Sequence, residues 1–376
     1  MSKSYTPGLV VLENTKIRKL RQLPMKGKVK VEVGEVVLTD QIIASTEIPG
    51  NVQMLNAANK LNIEPENIDQ CMLVGIDEKV EKGQVIAENK GLFGLFKSSL
   101  KSPIDGSIAN ISNITGQIII SEPPVPIEDD SYIGGSVVEV VEEEGAVVEV
   151  EGAHIQGILG IGGERHGEIL VLSGNRNEPI SKDMIKDSHE NKILIGGSYL
   201  SVEAYHKAQS VGVSGIVVGG FDYDSLSDLL GYQLGVAITG SEEVVTSIVM
   251  TEGFGKVSMA EKTFNLFKKF DDKIASMNGA TQIRAGVIRP EVIIPLVEED
   301  LSSKIKNLSE NDMIISVNSN VRVIRTPYFG KVGKVVSLPS ELMEMESGTI
   351  VRVAEVKFLD GDTVVIPRAN LEMILD

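Results

Sequence analysis

Two stretches of this chain repeat one another 43 residues apart, and that repeat limits the fold more than any other feature. Val31-Glu-Val33-Gly34-Glu35-Val36-Val37 runs on to Asp40-Gln41-Ile-Ile43-Ala44. Val74-Gly-Ile76-Asp77-Glu78-Lys-Val80 runs on to Gly83-Gln84-Val-Ile86-Ala87. Each copy reads as a strand, a Gly/Asp-Glu turn, a valine, a second tight turn and a short apolar strand. Alternation and turn punctuation both predict β structure. A third element, Ser102-Pro103-Ile104-Asp105-Gly106-Ser-Ile108, precedes Thr115-Gly116-Gln117-Ile-Ile-Ile120 and predicts a further strand–turn–strand. A duplicated β unit of this kind closes two small sheets on one core.

The run Val-x-Lys-Gly-Gln-x-Ile-Ala followed by Ser-Pro-x-Asp-Gly resembles the barrel-sandwich hybrid fold. That fold occurs in biotinyl and lipoyl carrier domains, in the C subunit of Rnf electron-transport complexes and in large subunits of bacterial RNA polymerase. Carrier domains hold a modified lysine at the hairpin tip between these motifs. Here Lys90, Lys97 and Lys101 occupy that region without a Met-Lys-Met or Asp-Lys-Ala signature. The resemblance therefore implies the fold, and no cofactor is expected. Gly91-Leu-Phe-Gly-Leu-Phe96, in the same region, is read as a lid over the core, with docking on a partner as the alternative.

Pro123, Pro124 and Pro126, with Glu128-Asp-Asp, predict a stiff acidic connection into a hairpin over Ser136–Glu151 that turns near Glu144-Gly145. Beyond it, five glycines and two of the chain's four histidines crowd into 154–168. His154, Glu164 and His166 are candidates for a metal or for acid–base chemistry. A separation of twelve positions between the histidines matches no recognised ligand spacing, so tight turns are the expected reading and no metal is assigned.

The middle alternates apolar strands with helices: Lys192–Ile195 then a helix capped by Ser201, Gly215–Val218 then Tyr223–Leu230, and Gly235–Ile238 then Ser241–Thr246. This pattern predicts an α/β sheet, mostly parallel. Its glycines, Gly196, Gly197, Gly219, Gly220 and Gly240, fall at strand C-terminal ends, where open α/β sheets bind ligands. With Thr281, Gln282 and Arg284 they form the candidate site for a small anion, with Arg289 close behind, while glycines that simply turn a compact sheet are the expected reading. Neither Gly-x-Gly-x-x-Gly nor a Walker lysine is present, and Asp222, Asp224, Glu242 and Glu243 oppose a phosphate. Met259–Phe270 predicts an amphipathic helix with a core face of phenylalanines.

Val321-Arg322-Val-Ile-Arg325-Thr-Pro-Tyr328-Phe329-Gly-Lys331-Val-Gly-Lys334 is similar to the KOW motif, and Val351–Phe358 and Thr363–Pro367 would complete a small SH3-like β barrel. The resemblance implies contact with RNA or with another protein. Arg322, Arg325, Lys331 and Lys334 around Tyr328 and Phe329 are the candidate contacts.

Charge weighs between those partners. The chain carries 36 basic and 53 acidic side chains, net −17. Residues 1–30 are net +7, residues 318–376 net −1 and the middle −23. An acidic middle repels nucleic-acid backbones, so RNA is left to the ends: the C-terminal module or the basic leader, itself read otherwise as a solvated tail or a strand docked on the acidic middle. One cysteine, Cys71, excludes an internal disulfide. No apolar run of membrane-spanning length and no signal peptide is found, and a cytoplasmic protein is expected.

The expected fold is multidomain α+β: a basic leader over 1–26, a barrel-sandwich hybrid over 27–126, a β hairpin or small β subdomain over 127–175, a glycine-rich α/β domain over 176–300 and a KOW-like barrel over 301–376. No nucleophile elbow, kinase set or zincin motif appears. The expected function is non-catalytic, a binding or accessory protein engaging a larger protein assembly through its β modules. The alternatives are a small-anion or nucleotide-binding enzyme or sensor at the glycine-rich strand ends, and RNA-, ribosome- or transcription-associated binding through the KOW-like module.

Overall fold

A computed structural model describes residues 9–90, 97–222, 225, 244–281, 288–296, 314–324, 327–328, 331–345, 348–358 and 361–375. They form an α+β protein dominated by strands. The chain begins in β1 (Leu9–Gln22), β2 (Lys28–Val29), β3 (Val36–Val37) and β4 (Ile42–Ile48). It then leaves for β5 (Val52–Asn56), β6 (Lys79–Val80), β7 (Val85–Asn89), β8 (Ser98–Lys101), β9 (Gly106–Ser112) and β10 (Gln117–Ser121). It returns along β11 (Val125–Asp130), β12 (Gly135–Val141) and β13 (Gly145–Gln156). β4 and β11 pair antiparallel from Ile42 opposite Asp130 to Ile48 opposite Val125, and everything between them hangs from this ribbon.

The repeat is therefore nested, one copy inserted inside the other. Local chemistry is reproduced bond for bond. Glu35 accepts from the Glu32 N–H at 3.1 Å, and Glu78 from the Gly75 N–H at 3.0 Å. Gln41 accepts from the Leu38 N–H at 3.2 Å, and Gln84 from the Glu81 N–H at 2.8 Å. The first turn needs a left-handed residue in each copy, and Gly34 (φ 91°) and Asp77 (φ 67°) supply it. Even the bulges agree: β12 slips against β13 between Val137 and Glu139, and β9 against β10 between Ile108 and Asn110. Each copy closes its own core, around Val37, Ile43, Ile133 and Val137 in the outer one and Val80, Ile86, Ile108 and Ile118 in the inner.

Past β13 lie β14 (Leu159–Ile161), β15 (Glu164–Val171), β16 (Ile193–Ile195), β17 (Gly215–Phe221) and β18 (Ser247–Phe254). β15 to β18 are parallel; β16 and β17 are strands of the expected alternation, whereas β15 and β18 stand outside it. The Gly235–Gly240 stretch lies outside the described residues. Alternate side chains of these strands face opposite ways. Ile193, Ile195, Val217 and Val249 meet Phe264 and Phe267 of the helix Glu261–Lys269. Leu194, Ile216, Val218 and Ile248 meet Ala204, Tyr205 and Ala208 of the helix Val202–Val211, whose cap Ser201 accepts from the Ala204 N–H.

β19 (Ile274–Asn278) and β20 (Glu291–Pro295) carry the sheet antiparallel from β15 to β13. At the chain end, β21 (Asn320–Val323), β22 (Val332–Ser337), β25 (Val353–Phe358), β26 (Thr363–Pro367) and β27 (Leu371–Leu375) pair antiparallel, with β23 (Met343–Glu344) and β24 (Ile350–Val351) as a separate short hairpin. β27 joins β1 at Leu9 and Val10.

One sixteen-stranded mixed sheet thus runs among the described residues through the segments read as leader, small β subdomain, α/β domain and C-terminal module. Those boundaries do not coincide with breaks in the sheet. β1 is the reason. Leu9 and Val11 enter the α/β core, Val10 and Leu12 the C-terminal core, and Ile17 the outer-copy core. The basic leader is, over 9–22, a strand docked on the acidic middle rather than a solvated tail.

Candidate functional site

Of the two ends of the parallel strands, the C-terminal one carries the glycines singled out as an anion site. The four described ones, Gly196, Gly197, Gly219 and Gly220, are buried, and the protein's own backbone covers the last three. A Cβ on Gly219 would lie 2.0 Å from Val257 O, one on Gly220 2.2 Å from Gly255 O, and one on Gly197 2.3 Å from Asn175 O. Gly196 is closed off by a side chain instead, its Cβ position lying 2.5 Å from Ile180. The amide N–H groups an anion would need are spent: Gly197 donates to Glu178 O and Ser173 Oγ, Gly196 to Val217 O, and Gly220 to Ser198 O. Thr281 is buried, its hydroxyl accepting from the Gly160 N–H at 2.8 Å and donating to Gly160 O at 3.1 Å. At these positions of the expected anion site, backbone closes on Gly197, Gly219 and Gly220, the Ile180 side chain closes on Gly196, and Gly160 holds the Thr281 hydroxyl. Gly240, Gln282 and Arg284 lie outside the described residues.

At the opposite, N-terminal end of these strands is a cleft of about 570 Å³ lined by Asp130, Glu164, His166, Glu168, Glu190 and Lys192, among others. Strand alternation puts Glu164, His166 and Glu168 on one face of β15. Behind the cleft lies a buried polar network. Arg21 sends Nη1 and Nη2 to Glu164 at 2.6 and 2.8 Å, Nη2 also to Asp129 at 2.7 Å, and Nε to Asp130 O at 2.7 Å. Its guanidinium lies 5.5 Å from the centre of the Tyr132 ring. Burial by itself would lower the Arg21 pKa, but Glu164, Asp129 and Asp130 raise it. The Asp129 carboxyl is pushed up by burial, which Arg21 only partly offsets.

The second half of the network centres on Glu291 of β20. Its carboxylate meets His154 Nε2 at 2.9 Å and Lys19 Nζ, and the Tyr132 hydroxyl donates to it at 3.4 Å. Burial works against the Glu291 charge, yet His154 and Lys19 hold its pKa down to about 2. Tyr132 is driven well above the usual phenol range by burial and by the Glu291 and Glu164 carboxylates.

So His154 pairs with Glu291, Glu164 pairs with Arg21, and His166 faces the cleft exposed. Among the described residues no three His, Cys, Asp or Glu side chains converge to hold a metal. The network joins β1, β13, β15 and β20, every one of its internal charges answered, and reads as a polar weld across the sheet. Lys19, Arg21, Tyr132 and Glu291 escape notice in the sequence because each comes from a distant stretch of chain.

The C-terminal candidates divide. Arg322 is 6% exposed, with Nη1 on Glu252 and Nη2 on Glu372 at 2.9 Å; Arg289 also reaches Glu372. Its expected role as a nucleic-acid or partner contact is corrected: the guanidinium is consumed by an internal ion-pair cluster between the α/β layer and the C-terminal strands. Tyr328 packs on Phe358 with ring centres 5.6 Å apart, and Lys331 covers both rings. Lys334 is exposed, directly across from Lys357. Arg325 and Phe329 lie outside the described residues, as does the 91–96 loop. Lys90, Lys97 and Lys101 are exposed.

The inner repeat copy remains. Its core draws only on residues 55–120, and its described elements make their substantial contacts with one another. Two antiparallel connections tie it to the body, clasped where the Glu122 N–H donates to Asn51 O and Asn51 Nδ2 to Glu122 at 2.9 Å. No described helix is long and apolar enough to cross a membrane. A scan against protein-family models finds no match to the chain, and a search of curated proteins finds no significantly similar sequence.

Proposed function

We propose that this chain is a non-catalytic, multidomain binding or accessory protein that engages a larger protein assembly through its β modules. The observation that carries this reading is the inner repeat copy, a unit with its own core held out on two strands. A module built that way adds nothing to the core of the body, and presenting a surface is what it is suited to do. Two further observations agree. Among the described residues, the strand ends where an α/β enzyme would bind its ligand are closed by backbone at Gly197, Gly219 and Gly220, and the buried charges of the two networks are paired with one another.

In this reading the two copies are barrel-sandwich hybrid units, the C-terminal strands form an SH3-like, KOW-related module, and the α/β layer is a scaffold between them. Protein is the favoured partner over RNA, because Arg322 is internal and the basic residues of β1 are committed to Glu149, Glu164 and Glu291.

The test is affinity capture from the native host with the full chain and with a chain in which residues 51–121 are replaced by a short turn. The same partner proteins should be recovered by the full chain and lost with the replacement, while circular dichroism shows the body still folded. Equal recovery by both, or thermal stabilisation of the full chain by a nucleotide or inorganic phosphate, would replace this reading with one of its rivals.

A further inference from the structure

Because the repeat is nested, the protein supplies its own control for how an edge strand is treated. In the outer copy, β1 flanks β13; in the inner copy, β5 flanks β10. Matching the ladders pairs Arg18, Lys19, Leu20 and Arg21 with Val52, Gln53, Met54 and Leu55: Glu149 stands opposite Arg18 as Ser121 stands opposite Val52, and Ala146 opposite Arg21 as Ile118 opposite Leu55. Leu20 and Met54 are alike, 54% and 67% exposed. Their neighbours are not. The outer edge is guarded by Lys16 and Arg18, each also bridged to Glu149. The inner edge has Val52, 63% exposed, and no charge from Val52 to Asn56.

Open edges are templates for a further strand, and proteins ordinarily blunt them with charge, proline or brevity. The other described edges follow that rule. β11 carries Pro126, Glu128 and two aspartates, β26 ends on Pro367, and β6 is two residues long with Lys79. β5 alone among them is unblunted. Its geometry is also fit for pairing. Because the Glu122 N–H bonds to Asn51 O and the β5–β10 register has no slip, alternation aims the backbone groups of Val52 and Met54 at the open side.

We propose that this protein self-associates by strand addition, β5 of one copy pairing antiparallel with β5 of a second across a two-fold axis at Met54. In that register Met54 faces Met54 and Val52 faces Asn56, forming about four main-chain hydrogen bonds, because the Asn56 carbonyl already begins the helix Ala57–Leu61. Charge selects a second copy as the occupant. An uncharged strand wants an uncharged strand, and β5 is itself one. Residues 51–121, the inner copy, carry six basic and eight acidic side chains, net −2, so most of the chain's −17 sits on the bodies that the ribbons hold back from the contact. A five-residue strand pair falls well short of the ~1,200 Å² typical of stable interfaces, so the dimer is weak, with a dissociation constant of roughly 10–100 μM.

The experiment is sedimentation equilibrium of the full chain from about 1 to 300 μM at low and high salt, alongside Met54→Lys and the control Leu38→Lys, which alters an exposed apolar residue of the outer copy. A monomer–dimer equilibrium is expected, tightening several-fold with salt as the acidic bodies are screened. Met54→Lys should weaken it about tenfold or more, and Leu38→Lys should leave it unchanged. Amide exchange supplies a readout free of mutation: the Val52 and Met54 N–H groups should become protected as concentration rises. A monomer at every concentration, or a dimer indifferent to Met54→Lys with no protection in β5, overturns the proposal. Either result leaves the capture experiment on heterologous partners standing.

Discussion

Replacing Glu291 with Gln tests whether the network across β1, β13 and β20 is the weld its geometry describes. The folded-state pKa of Glu291 is about 2 against an ordinary 4.5. A depressed carboxylate contributes stability that is complete above the unfolded pKa and disappears as pH falls through the folded one. Two and a half pH units at about 1.36 kcal/mol each give about 3 kcal/mol, present at neutral pH and lost between roughly pH 5 and pH 2. Over the experimentally comfortable span from pH 5 to pH 3 the loss is about 2 kcal/mol. Urea unfolding followed by far-ultraviolet circular dichroism suits a chain with no tryptophan. Gln preserves the shape but has no proton to lose, so the stability gap between the wild type and Glu291→Gln should narrow by about 2 kcal/mol from pH 5 to pH 3. A gap that stays constant across that span would refute the pairing of Glu291 with His154 and Lys19 as the source of its acidity.

Two further substitutions separate structural from ligand-directed roles. Gly219→Ala drives a methyl group into the Val257 carbonyl and should cost about 2 kcal/mol or more in thermal unfolding, whereas Gly163→Ala, with open space around it, should cost well under 1 kcal/mol. If the two glycines respond alike, the strand ends are not closed by backbone as described. Arg322→Met leaves Glu252 and Glu372 facing one another in the interior and should destabilise by about 3 kcal/mol in the same assay; a change within about 0.5 kcal/mol would return Arg322 to the surface.

Much of this architecture is legible in the chain because it is local. The turns of the repeat are written in Gly34, Asp77, Glu35, Glu78, Gln41 and Gln84, each bonding within a few residues of itself. The Ser201 cap and the phenylalanine face of 261–269 are equally short-range. A second repeat accompanies the first. Ser131-Tyr-Ile133-Gly-Gly135-Ser-Val137 repeats Ser102-Pro-Ile104-Asp-Gly106-Ser-Ile108 at 29 residues, the second half of each copy. Taken with the 43-residue repeat it implies the nesting, since the two halves of one copy must enclose the other.

The candidate site fared differently. A glycine at the end of a strand looks the same in sequence whether an anion or a carbonyl approaches it, and only the path of 253–259 over Gly219 and Gly220 distinguishes them. Arg322 reads as a basic surface residue until Glu252, seventy positions away, is found against it.

By itself, then, the amino-acid order determined which segments turn, which extend and which pair with near neighbours, because those preferences act over a few residues of backbone. Tertiary structure decided where the charges went. Lys19 meets a carboxylate 272 positions along the chain and Arg21 one 143 positions along, because a charge taken out of water must find its partner inside the protein. It also decided which strand would be left with an open, uncharged edge, a property that belongs to the assembled sheet and to no residue in it.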